Sequence, residues 1–124
     1  MNANSRKNRK AAEARGRQAE WLACALYLSR GFTVVERRYK TRVGEIDLIL
    51  KRGRTFVFCE VKARRHMDDA VNAVDTRTRR RIEQASRNFL ARAKDAERCA
   101  VRFDICAVVG WRPRIVHDAW REGD

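Results

Sequence analysis

Three residues could do chemistry together: Asp47, Glu60 and Lys62. Asp47 stands in the apolar run from Glu45 to Leu50, and Glu60 and Lys62 in the run from Thr55 to Lys62. Side chains two apart on a strand share a face, so Glu60 and Lys62 point the same way, as do Glu45 and Asp47. Whether the two sets meet depends on the hairpin register. A turn with an even number of residues places Asp47 opposite Glu60, whereas an odd number puts them on opposite faces. Gly53-Arg54 as a two-residue turn gives the even register, which the sequence permits without requiring. In that register two carboxylates and an ammonium share one face amid apolar strand. Burying such charges is costly unless something compensates. A divalent cation would do so, and two carboxylates, a backbone carbonyl and waters suit Mg²⁺ or Mn²⁺. The metal would polarise a phosphate oxygen and acidify a bound water. Lys62 would orient that water or stabilise charge developing on the phosphate. That is a hydrolytic phosphodiesterase site. The alternative is a structural ion pair of Lys62 with Glu60 or Asp47 on a partly solvated face. These residues alone leave both readings open.

The elements that must position these side chains follow from periodicity and punctuation. Residues 12–30 are helical in pattern, with Trp21, Leu22, Ala25 and Leu28 at helical spacing and Gly31 as a C-terminal breaker. A β-branched and aromatic strand follows at 32–39, then the hairpin of 45–50 and 55–62. Both faces of the hairpin are apolar, so it belongs in the middle of a sheet covered on both sides. Residues 64–74 have no period and read as a loop. A long helix spans 76–97, capped by Asp75 or Thr76, with Ile82, Ala85, Phe89, Leu90 and Ala93 as its apolar stripe. Strands at 101–109 and 115–120 end the chain, the last at a sheet edge. Residues 1–11 read as a flexible basic arm and 12–124 as a single domain.

The chain has 124 residues, 29 Lys plus Arg against 16 acids, and a net charge of +13. Charge this far from zero repels itself, so a polyanionic partner is the natural reading, DNA ahead of RNA and both ahead of an anionic membrane. No apolar stretch is long enough to span a bilayer. Four cysteines, Cys24, Cys59, Cys99 and Cys106, lack metal-ligand spacing, and three lie in apolar runs. They read as reduced core thiols in a cytoplasmic protein. Arg77, Arg79, Arg80 and Arg81 crowd a helix start, where like charges oppose each other and the helix dipole, so phosphate binding explains them better than stability. Arg37, Arg38, Lys40 and Arg42 before the hairpin, and Arg64 and Arg65 after it, extend this basic surface. Tyr39 could stack on a base, though packing is the commoner role. His66 is the only histidine near the proposed site. Asp104, next to Arg102 in an apolar strand, reads as a satisfied buried polar group.

The stretch from Gly44 to Ile49, followed by Val57 to Arg64, resembles the signature of the YraN-like family of uncharacterised bacterial proteins. Arg102-Phe103-Asp104 and the first helix, with Gly16, Ala19 and Glu20, also resemble that family. The family is similar to the PD-(D/E)xK nucleases and, within them, the archaeal Holliday junction resolvases. The resemblance implies a restriction-endonuclease-like α/β fold of αβββαβ order, a mixed central sheet flanked by helices. It implies Asp47 and Glu60 as metal ligands, Lys62 as the catalytic lysine, Glu20 as an accessory acid and Gln84 as a supporting polar group. The expected activity is Mg²⁺- or Mn²⁺-dependent hydrolysis of DNA, branched or single-stranded. The alternatives are a non-catalytic nucleic-acid-binding module on the same scaffold and a small basic assembly protein bound to structured RNA. Junction-cutting enzymes need two active sites, so a homodimer is the corresponding expectation, with the segment from Trp111 to Trp120 as its interface.

Overall fold

A computed structural model describes residues 3–124. Helix α1 spans Ala3–Ser29. Strands β1 (Thr33–Lys40), β2 (Glu45–Arg52) and β3 (Thr55–Ala63) follow. A short helix α2 (Met67–Asn72) and the long α3 (Thr76–Arg92) lead through a 3-10 turn at Ala96–Arg98 to β4 (Ala100–Val109) and β5 (Arg112–Trp120). The five strands lie in the order β1-β2-β3-β4-β5, with β3 and β4 parallel and every other pair antiparallel. This is the expected αβββαβ order with a mixed sheet, extended by one edge strand. A parallel pair needs a crossover, which α2 and α3 supply.

The first helix stops for a reason visible in the sequence. Gly31 takes a φ of +85°, which a residue with a Cβ resists. The Gly31 N–H donates to the Leu28 carbonyl and the Phe32 N–H to the Tyr27 carbonyl, satisfying orphan carbonyls of the last turn. Phe32 then packs edge-on against Tyr27, ring centroids 5.2 Å apart. The other end differs from expectation. Residues 3–11, read as part of a basic arm, continue the helix, and residues 1 and 2 of that arm lie outside the described residues.

The two faces of the sheet carry separate cores. On one, α1 lays Ala19, Ala23, Cys24 and Tyr27 against Leu48, Leu50, Val57, Cys59, Cys106 and Val108. On the other, α3 presents Ile82, Ala85 and Phe89 to Ile49, Phe56, Phe58, Phe103 and Trp120. The stripe read for α3 is the one that packs. The stripe read for α1 is not, because Trp21, Ala25 and Leu28 are exposed and only Leu22 touches the core. Small side chains and Tyr27 take the sheet side instead. Tyr27 reaches through to the buried Asp104, which fixes the rotation of the helix. The segment 64–74, read as a loop, holds α2, whose Ala70 is fully buried. Asp75 caps α3 by accepting from the Thr78 N–H at 2.9 Å, one of the two caps expected.

Gly44, just before β2, explains its presence in the hairpin motif. A Cβ there would stand 2.4 Å from the carbonyl oxygen of Arg81 in α3. Backbone cannot yield as a side-chain tip can, so Gly44→Ala must push β2 and α3 apart at the start of the strand that carries Asp47. The expected result is a loss of about 1–3 kcal/mol, in the range for overpacking. An unchanged urea midpoint for Gly44→Ala would show that this approach is not tight.

Candidate active site

The β2–β3 hairpin closes with Arg52 opposite Thr55, so Gly53 and Arg54 are a two-residue turn, and Gly53 has a φ of +58°. Leu48 pairs with Cys59. The regular pairing ends there, and beyond it the Asp47 side chain reaches both Glu60 and the Val61 N–H. The condition left open by the sequence is met in that the two carboxyls meet side chain to side chain.

Their surroundings are unusual for charges. Glu60 is only 9 % exposed. Asp47 Oδ2 accepts from the Val61 N–H at 2.8 Å, which ties this side chain to the neighbouring strand. Lys62 Nζ stands 3.5 Å from Glu60 Oε2. Burial and the adjacent Asp47 push the Glu60 carboxyl up to about 9, and Lys62 offsets only part of that. A hydrogen bond with Asp47 acts in the same direction, and it needs a proton on one of the two acids. Two carboxyls forced together with one partial counter-charge form a site that favours added positive charge. The donors are hard oxygens, so the residues fit a divalent cation of the Mg²⁺ or Mn²⁺ type, which Asp47 and Glu60 would hold. Among the described residues no group of three His, Cys, Asp or Glu side chains gathers as a metal cage. Waters would therefore fill most of the coordination shell, as is usual for Mg²⁺.

The remaining residues divide. Glu20 does not join the pair. Its carboxylate takes an ion pair with Arg38 at 3.0 Å. Arg38 has a left-handed φ of +53° in β1, on the strand beside Asp47. Gln84 is exposed, off the buried side of α3 that carries Ile82, Glu83, Ala85, Ser86 and Phe89. Glu45 is exposed opposite Lys40, and His66 is exposed before α2. Asp75 serves as the cap of α3, where the Thr78 hydrogen bond holds its carboxyl below the usual range and Arg77 and Lys62 add smaller pulls the same way.

The basic surface is thinner than its residue count. Arg80 binds the buried Glu83 through both carboxylate oxygens, and Arg79 donates to the Val74 carbonyl and lies over the Trp120 ring. These two arginines serve the fold, which answers the objection that stability would not place them there. Arg77 and Arg81 remain exposed. Arg37 lies over the exposed Trp21 ring at 4.2 Å, while Lys40, Arg42, Arg64 and Arg65 face solvent. Tyr39 is buried, edge-on to Phe89 with its hydroxyl bonded to Asn88, so it is not a stacking surface. Cys24, Cys59 and Cys106 are buried free thiols in the α1-side core, and burial raises all three, Cys106 to about 12. No helix among the described residues is long and apolar enough to cross a membrane.

Comparison with known proteins places this arrangement in a family. The profile of the group described as uncharacterised protein family UPF0102 matches residues 19–108, which include Glu20, Asp47, Glu60, Lys62 and Asp104. A UPF0102 protein of Mesorhizobium japonicum is 46 % identical over 105 residues, 85 % of this chain and 84 % of the relative. One from Sinorhizobium medicae is 46 % identical over 107 residues, covering 86 % and 88 %. A more divergent relative, from Maricaulis maris, is 40 % identical over 117 residues, covering 94 % and 92 %. The chain belongs to uncharacterised protein family UPF0102, the YraN-like family whose signature its hairpin carries.

Proposed function

We propose that this chain is a metal-dependent endonuclease that hydrolyses DNA phosphodiester bonds, with branched or single-stranded DNA as its substrate. The observation that carries the reading is the meeting of the Asp47 and Glu60 carboxyls with Lys62 Nζ 3.5 Å from Glu60. A structural ion pair would need one acid, and here two are forced together beside it. Mg²⁺ or Mn²⁺ at Asp47 and Glu60 would supply Lewis acidity and an acidified water. Lys62, paired with Glu60, would place its ammonium against the phosphate being attacked. The net charge of +13 supplies the attraction for the polyanion.

A second reading has its own support. Glu20 is committed to Arg38, and no third acid joins the pair among the described residues. That favours a binding module which keeps the nuclease scaffold without turnover.

The test is cleavage of a labelled panel of linear, single-stranded, flapped and four-way DNA with Mg²⁺ or Mn²⁺, using the parent chain and Lys62→Ala. Cleavage that stops with chelator and falls about a hundredfold or more in Lys62→Ala is the expected result, the scale of losing one group that stabilises developing charge. Salt-sensitive binding of the panel without any cleavage would establish the binding module instead.

A further inference from the structure

We propose that the groove between α1 and the C-terminal ends of β3 and β4 binds a single-stranded nucleic acid segment, with one base stacked on Trp111 and its phosphates on Arg15, Arg64 and Arg65. The groove is a cavity of about 720 Å³, also lined by Gln18 and Leu22. Among the described residues its lining includes three arginines and no acid. Such a lining repels cations and attracts a phosphodiester chain.

Trp111 is the second observation. It is 70 % exposed, the most exposed of the large hydrophobic residues. It occupies the two-residue turn Gly110-Trp111 that joins β4 to β5, closed by the pairing of Val109 with Arg112. Gly110 takes the positive φ of +65° that the turn requires, so the turn asks nothing of an indole at the next position. The ring does not serve the core either, unlike Trp120, which stacks on Phe103 with centroids 5.1 Å apart. An exposed indole at the rim of a basic groove has the composition of a single-strand platform, where bases stack on an aromatic and arginines track the backbone. Duplex DNA hides its base faces, so it could use the arginines but not the ring.

The groove lies at the end of β3 beyond Lys62, on the α1 side of the sheet, whereas Glu60 shares the face of Phe58 that packs against α3. Arg64 follows Lys62 by two residues, about 7 Å of strand. The Arg64 N–H donates to the Val108 carbonyl at 3.1 Å, which fixes the chain beside β4 as it leaves the sheet. A strand held here would have to turn around this end of the sheet to reach Lys62 on the other face. Its use as a guide for the scissile strand rests on the nuclease reading, but the binding itself does not.

The experiment is fluorescence anisotropy with short labelled oligothymidylate, oligouridylate and duplex DNA, without divalent metal, so that cleavage plays no part. The parent chain is compared with Trp111→Ala, Trp111→Phe and the double variant Arg64→Ala/Arg65→Ala, with circular dichroism as the check on folding. Trp111→Ala is expected to weaken oligothymidylate binding about tenfold, to leave duplex binding unchanged and to be largely rescued by phenylalanine. The arginine variant should weaken both probes and flatten the salt dependence. Oligouridylate binding that falls in parallel supports the same site, since nothing required of the ligand is a missing 2′-hydroxyl. Unchanged oligothymidylate binding in Trp111→Ala overturns the proposal, as does an equal loss for duplex. So does a change confined to self-association, which would make Trp111 a contact between copies of the chain. Loss of cleavage in Lys62→Ala has no bearing on this result, and oligothymidylate binding stands or falls on its own.

Discussion

Asp47→Asn is expected to abolish metal-dependent cleavage and to remove the stabilisation that Mn²⁺ gives the folded chain, without loss of stability in chelator. The geometry makes this variant cleaner than most. An asparagine keeps an oxygen that accepts from the Val61 N–H, now held at 2.8 Å by Asp47 Oδ2. Its amide can also donate to Glu60, which presently has a second carboxyl against it and only Lys62 as a charge partner. An amide hydrogen takes the place of the proton the two acids must share, so the apo protein should be as stable as the parent. The cost falls on function, because one of two carboxylates that would hold the cation is gone. A rate loss of about two to three orders of magnitude is the scale for removing one group that organises charge at a reacting centre. The readout that needs no turnover is thermal. At a hundredfold excess of Mn²⁺ over its Kd the parent should gain about 2.7 kcal/mol. That corresponds to roughly 10 °C for a domain of this size. The variant should gain little. An equal Mn²⁺ shift in both proteins would remove Asp47 from the metal site, and parent-level cleavage by the variant would remove it from the mechanism.

Asp104→Ala should destabilise the fold by about 3–5 kcal/mol, the range for taking one partner from a buried charge pair. Asp104 is fully buried beneath α1. Its oxygens accept from Tyr27 Oη at 2.7 Å, from Arg102 Nε and Nη2 at 2.8 and 2.9 Å, and from the Asp118 N–H at 2.9 Å. These donors come from α1, β4 and β5, so one carboxylate joins the helix to two strands. Asp118 has a left-handed φ of +51° opposite a break in the β4–β5 register, and that bulge turns its N–H inward. Alanine would leave the buried Tyr27 hydroxyl with only the Cys59 thiol, a weak acceptor, and the Arg102 guanidinium would turn to water from a side chain that is 21 % exposed. Equilibrium urea unfolding measures the effect. A loss below about 1 kcal/mol would mean that packing alone holds α1 in place.

Neither effect involves residues that stand out alike in the sequence. Asp47 is conspicuous in an apolar strand whose partner strand carries Glu60 and Lys62. Asp104 is conspicuous for the same reason, and its reading as a satisfied buried polar group holds, but its partners could not be named. Arg102 is two residues away, whereas Tyr27 is 77 residues away on another element.

What the sequence determined by itself was local. Strand alternation, the helix stop at Gly31, the Asp75 cap and the tight turn at Gly53 depend on residues within a few positions of one another, so their order and the α/β class were legible. The hairpin register was nearly so, since a two-residue turn admits only the even pairing that sets Leu48 opposite Cys59 and so carries Asp47 towards Glu60. Tertiary structure decided the rest. It set the face that α1 buries, through a tyrosine reaching Asp104. It gave Glu20 to Arg38 and Arg80 to Glu83, and left Trp111 beside a basic groove. Hydrophobic pattern and turn chemistry act over a few residues, but a charged side chain takes whichever partner the folded chain brings within a few ångströms. That distance is fixed only once the sheet and both helical layers have closed.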